Sequence, residues 1–218
     1  MPTKPRVVAP RPRADLSSAD LPLHTLSASV HYRLTDTKYA SPLFWSRSGN
    51  YRFDSPAAKW GVCYAAETIA SAFQEVYSDA IRKGCLNYTA VSRQKVWTLK
   101  VPTTIRTIEL SGPTLTRIRA TLQCFVGGYG LSQEWGRALM LNKDELDGIV
   151  YIGRRCGKPC IALFGDDASK PVKPYQSQMT TTSLGLIIEW KHFWRLIDEL
   201  KVSFVNLPST RPAPTWDI

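Results

Sequence analysis

The sequence predicts a single α+β domain in which mixed and antiparallel β-sheet is flanked by helices. Three observations support this. A chain of 218 residues suits one domain of ordinary size. Segments with strand character outnumber helical ones and do not follow a strict strand–helix repeat, which argues against a doubly wound parallel sheet. Finally, 44% hydrophobic and 21% charged residues match a soluble globular average, with no internal repeat.

Taken in order, residues 1–25 are rich in Pro, Arg and Ser. Prolines 2, 5, 10 and 12 forbid a helix, so a flexible or extended basic leader is expected. The domain proper is expected over 26–207, and a second Pro-rich tail over 208–218, where Trp216 is able to dock on the body. Val30–Leu34 reads as a strand by alternation. Ser46–Pro56 is a loop with Gly-Asn turn chemistry. Gly61–Ala65 is a short strand, followed by a helix starting near Glu67–Thr68. Ile69, Ala72, Phe73, Val76 and Ala80 define its apolar face, and Gly84 stops it.

Lys95–Val101 and Ile105–Leu110 read as strands, while Leu115–Thr121 fits either state. Gly127–Gly130 is expected to turn, and Ser132–Leu141 to form a helix capped by Ser132. Gly148–Gly153 and Pro159–Phe164 are apolar strands joined by a basic loop containing Arg154, Arg155 and Lys158. Leu184–Ile188 suggests a further strand. Glu189–Leu200 suggests a helix with Trp190, Phe193, Trp194 and Ile197 along one stripe.

No stretch approaches the roughly 20 apolar residues of a membrane helix, and no apolar run follows the basic N-terminus, so neither a membrane span nor a secretory signal is expected. The net charge is +10, spread along the chain. Such a surface suits a phosphate-bearing small molecule or an acidic partner. No basic run is dense enough to argue direct nucleic-acid binding. The five cysteines lack CxxC spacing; Cys156 and Cys160 stand four apart, but no second Cys/His pair completes a zinc site, and no metal is expected. Reduced thiols suit a cytoplasmic protein.

P-loop, G-x-G-x-x-G, H-E-x-x-H and G-x-S-x-G motifs are all missing, which removes support for their chemistries. What remains is Arg33 on an early strand, Arg52 in a loop, Tyr64 near a strand end and Glu75 on the next helix. Each also suits an ordinary role: a solvated strand charge, a core ring with its hydroxyl at the rim, a helix-surface carboxylate. At ~100° per residue, Glu75 lies roughly 120° from the centre of the apolar stripe, bordering the buried face near Ala72.

Tyr32-Arg33-Leu34, Asn50-Tyr51-Arg52-Phe53-Asp54, and Val62 to Thr68 with Ala72 and Glu75 resemble the RES domain family, named for an Arg, a Glu and a Ser. Trp135, Ala138, Leu139 and Asp147–Tyr151 are similar to its next segment. The resemblance covers roughly residues 30–165. It implies an ADP-ribosyltransferase-like core and a toxin of a bacterial toxin–antitoxin pair that destroys NAD by hydrolysis or phosphorolysis. NAD would be the substrate, with no resident cofactor, inorganic phosphate a second substrate in the phosphorolytic case, and an antitoxin the partner that blocks the cleft.

In that reading Glu75 stabilises the oxocarbenium-like transition state. Arg33, assisted by Arg52, holds the pyrophosphate, and Tyr64 holds the nicotinamide ring. The family serine falls at Gly153 in this chain, leaving Arg154, Arg155, Ser169, Ser177 or water to serve there. A protein ADP-ribosyltransferase and a non-catalytic nucleotide- or partner-binding module are the alternatives.

Overall fold

The computed structural model describes residues 8–26, 30–102, 104–167 and 173–218. In chain order the elements are β1 (Leu23–Thr25), β2 (Val30–Asp36), β3 (Trp60–Ala66), α1 (Ile69–Val76), α2 (Ser78–Arg82), β4 (Cys85–Asn87), α3 (Tyr88–Ser92) and β5 (Gln94–Lys100). Then come β6 (Arg106–Glu109), α4 (Gly112–Arg117), α5 (Gln123–Val126), α6 (Tyr129–Met140), β7 (Gly148–Ile152), β8 (Pro159–Asp167), β9 (Thr180–Leu186), α7 (Phe193–Leu200) and β10 (Ser203–Val205). Among the described residues, eight strands form one mixed sheet in the order β1-β6-β7-β8-β3-β2-β5-β9, and β10 pairs with β4 apart from it. This is the expected α+β architecture.

Both faces of the central strands are covered, which is why they read as nearly continuous apolar runs. Along β3, Val62 and Ala66 join the larger core, while Cys63 and Ala65 join the smaller one on the other face. Along β8, Ala162 and Phe164 alternate with Ile161 and Leu163 in the same way. The larger core takes Phe73 from α1, Trp135 and Leu139 from α6, and Phe193 from α7.

The middle of the sheet is irregular. β3 pairs with β8 along most of its length, and β2 with β5 from end to end. The two neighbours β2 and β3 meet only at Tyr32 and Ala66. From that pair the strands splay, and α1 sits over the opening against β2 and β3.

Several expectations change. Of the two readings of the leader over 1–25, flexible or extended, the described part follows the second and packs on the body from Ala9 onward; residues 1–7 lie outside the described residues. Leu16 is buried in the larger core, Trp135 Nε1 donates to Pro10 O at 3.0 Å, and β1 pairs with β6. The prolines exclude a helix but leave an extended chain whose carbonyls are free to accept. The long helix after β3 is broken at Tyr77, whose ring packs on Phe73 at 4.9 Å and whose hydroxyl donates to Ala90 O at 3.2 Å. Val76, the last residue of α1, is exposed at the cavity instead of lying in the core.

Ser132 is not a cap. Helix α6 begins at Tyr129, and the buried Ser132 hydroxyl donates to Tyr129 O at 3.0 Å inside it. The ambiguous Leu115 segment falls in and after α4. The strand expected at Leu184–Ile188 starts earlier, at Thr180, and gives way to a 3-10 turn at Ile187–Glu189. Trp216 does dock: its Nε1 donates to Leu186 O at 3.0 Å, over Gly185, whose φ of +129° and missing Cβ admit the indole.

Candidate active site

A cavity of about 510 Å³ opens where β2 and β3 part, within the size range of small-molecule sites. Arg33 enters from β2, Arg52 from the loop before β3, Tyr64 from β3, Glu75 from α1, and Arg154 from the loop after β7. Glu75 and Arg33 thus line one hollow. Tyr32, Tyr151 and Cys160 also line it. Of the expected set, Gly153 is buried behind this wall and contributes space instead of a contact.

Helix α1 is anchored at its start. Thr68 Oγ1 accepts from Ser71 N at 3.0 Å and donates to Ser71 Oγ at 2.8 Å, an N-cap that fixes where the helix begins. Ile69, Ala72 and Phe73 are buried, so Glu75 is turned to the edge of the core, as its helical angle predicts. Its Oε1 accepts from Arg155 N at 3.2 Å and from the Cys156 thiol at 3.6 Å. Among the described residues its other oxygen, Oε2, accepts no hydrogen bond.

The guanidinium of Arg33 is held by the Cys63 sulfur and by Phe44 O, the latter at 3.1 Å. Burial pushes the Cys63 thiol pKa up, against the opposing field of Arg33. Arg52 is buried with its guanidinium over the Tyr151 ring at 5.3 Å, and that ring is met edge-on by Phe53 at 5.1 Å. Among the described residues Arg33, Arg52 and Arg154 have no carboxylate ion-pair partner. Of the carboxylates that share the cavity, Asp36 and Asp79 are paired with Arg93 and Arg82, which leaves these guanidiniums available to an anion.

Tyr64 differs from its expected role in one respect. Its hydroxyl donates to Asp54 Oδ1 at 2.9 Å and accepts from Phe53 N at 3.0 Å. Burial, reinforced by Asp54, raises its pKa well above the usual phenol value. Asp54 Oδ2 in turn accepts from Ser48 Oγ at 2.9 Å and Tyr51 N at 3.2 Å. The hydroxyl therefore ties the 46–56 loop, which carries Arg52, to β3, and Tyr64 lines the cavity. Burial likewise raises the Tyr151 pKa.

Sequence reasoning missed the group beside Gly153. Cys156 and Cys160 hold their sulfurs 3.9 Å apart, and Glu75 joins them from a distant helix, so the three offer ligand atoms all within 4.8 Å of one another. This is the one place among the described residues where such groups could hold a metal ion. The Cys160 thiol lowers the pKa of Cys156 to about 7 by hydrogen bonding, and the same contact together with burial raises that of Cys160. A signal was present in the pair's spacing of four across a hairpin loop, but the third group is not local. Of the residues suggested to replace the family serine, Ser177 bonds Pro174 O outside the cavity, and Ser169 lies outside the described residues.

No helix among the described residues is long and apolar enough to cross a membrane. No curated protein matches the chain in sequence. Among solved structures, a chain of the M. tuberculosis MbcT–MbcA toxin–antitoxin complex is similar at a TM-score of 0.55 and 14% identity, covering 79% of this chain and 88% of that one. At that identity the likeness establishes the fold. The RES domain model matches residues 30–183, which takes in the splayed strands, α1, the loop around Gly153 and the whole cavity wall between them, and the chain belongs to the RES domain family.

Proposed function

We propose that this protein is a toxin that cleaves NAD at the nicotinamide–ribose bond. The observation that carries the reading is the placement of Glu75 in one cavity with Arg33, Arg52 and Arg154, while the other carboxylates that line it, Asp36 and Asp79, are paired with Arg93 and Arg82. The chemistry needs little more. As the N-glycosidic bond breaks, its electron pair leaves with the ring nitrogen, and the cationic nicotinamide departs neutral. Positive charge develops on the ribose, and the Glu75 carboxylate stabilises it. Water or phosphate then forms the new C–O bond. With water as nucleophile one proton is released and ADP-ribose results; with phosphate the product is an ADP-ribose phosphate ester.

The remaining residues bind and orient. A guanidinium offers five N–H donors, and Arg33 uses two side-chain nitrogens to hold itself in place, leaving others for a pyrophosphate. Arg52, braced on Tyr151, supplies a second cation. The Tyr64 ring offers a face for the nicotinamide. The cavity mouth carries exposed Tyr39, Phe44, Tyr51 and Tyr129. Exposed aromatics around a basic cleft suit a protein partner such as an antitoxin.

The test is a nicotinamide-release assay on purified protein, with and without inorganic phosphate. Turnover is expected for the parent chain and a fall of about 10²- to 10⁴-fold for Glu75→Gln with its fold retained. Label from NAD retained on protein, without bulk NAD loss, would instead support protein ADP-ribosylation. Binding of NAD by calorimetry with no turnover would support a non-catalytic module.

A further inference from the structure

We propose that Glu75, Cys156 and Cys160 form a binding site for a thiophilic divalent cation, with zinc the best fit. The geometry is close to that of an assembled centre. Zinc takes sulfur at about 2.3 Å and oxygen at about 2.0 Å, so a tetrahedron has edges of about 3.8 Å between sulfurs and about 3.5 Å between sulfur and oxygen. The Cys156–Cys160 and Cys156–Glu75 separations are 3.9 and 3.6 Å. The space for the ion is also present. A Cβ on Gly153 would stand 2.4 Å from Cys156 Sγ, 2.7 Å from Glu75 Oε1 and 3.0 Å from Cys160 Sγ. The missing side chain leaves a gap among all three ligand atoms.

Cys160 and Glu75 also line the cavity, so an ion has a path in, and solvent or a ligand is available for the fourth position. Both thiols release their protons to solvent as the metal binds. Two thiolates and one carboxylate around a dication leave one net negative charge, and Arg52, Arg154 and Arg155 stand close enough to the pocket wall to offset it. The consequence for activity rests on the proposed function: the ion takes the carboxylate that the cleavage step requires, so zinc holds the enzyme off.

The test begins without NAD. The full chain, kept reduced, is titrated with Zn²⁺ by calorimetry and with Co²⁺ by absorption. One equivalent is expected, together with a near-ultraviolet thiolate-to-cobalt charge-transfer band. Both are lost in Cys156→Ser and in Cys160→Ser, and affinity falls in Glu75→Gln. Cys156 is half-exposed, so its variant carries the test if Cys160→Ser does not fold, and circular dichroism monitors each. Absence of stoichiometric binding, or undiminished binding in Cys156→Ser, overturns the site. In a second arm, the ratio of NAD turnover with and without Zn²⁺ is read within each variant; zinc inhibits the parent chain and not Cys156→Ser. Zinc binding by a protein that leaves NAD intact would uphold the site and refute the NAD reading. NAD turnover by a protein that binds no zinc would do the reverse.

Discussion

Introducing a side chain at Gly153 is the sharpest perturbation the structure offers. In Gly153→Ala the new carbon meets three heavy atoms at 2.4, 2.7 and 3.0 Å. Ordinary carbon contacts lie at about 3.5–4.0 Å. One of the three is the far end of Glu75, which yields by rotation. The other two are short cysteine side chains, and Cys160 is buried in β8, opposite Tyr151 in the ladder to β7. Overpacking of this kind costs about 1–3 kcal/mol, and the shortness of the contacts places this case in the upper half. For a chain of this length that lowers Tm by about 4–12 °C. Adding Cys156→Ala removes the nearest atom, so the double variant recovers part of the loss, with a coupling of about 1 kcal/mol. Thermal melts of the parent, both single variants and the double variant complete the cycle. Gly153→Ser, which restores the family residue, behaves like Gly153→Ala and displaces the Glu75 carboxylate. An unchanged Tm in Gly153→Ala, or equal losses in Gly153→Ala and the double variant, would refute the packing argument.

Tyr64→Phe leaves the wholly buried Asp54 Oδ1 and the Phe53 amide without their shared partner, and urea unfolding should show a loss of about 1–3 kcal/mol. Thr68→Ala removes the cap of α1 and costs about 0.5–2 kcal/mol by the same measurement, with NAD turnover falling as the helix carrying Glu75 frays. Phe73→Ala empties the centre of the larger core, where the ring meets Tyr77 and Phe193, and is expected to cost about 3–5 kcal/mol.

The central strands were legible because burial on both faces writes an uninterrupted apolar run, as in Cys160–Phe164. Glu75 was legible because helical phase alone places it at the border of the stripe. What local pattern does not carry is tertiary choice. Tyr77 stands at the end of α1 with its hydroxyl bonded to Ala90 O on α3, a partner that helical period does not reveal, and Val76 keeps the phase of the apolar stripe yet faces the cavity. The prolines of the N-terminal stretch report only which conformations are barred, and say nothing of the groove that receives Leu16. The glycines before α6 read as a turn, yet the helix begins among them. The Tyr64 ring was found, but the partners of its hydroxyl were not, since Asp54 and Phe53 come from a loop without periodicity. The sulfur–carboxylate cluster joins residues some eighty positions apart, beyond any spacing rule.

The meeting of β2 and β3 at one residue pair has a thermodynamic meaning. Each half of the main sheet is zipped internally, but at the midline the backbone ladder shrinks to that one pair, and the halves are joined besides by side chains: the Arg33–Cys63 contact, the shared apolar cores and the helix above. A dinucleotide gripped by Arg33 on one side and Glu75 on the other would act as a clasp across this seam. Its occupancy would then be recorded far from the ligand, as slower amide exchange along both flanking strands.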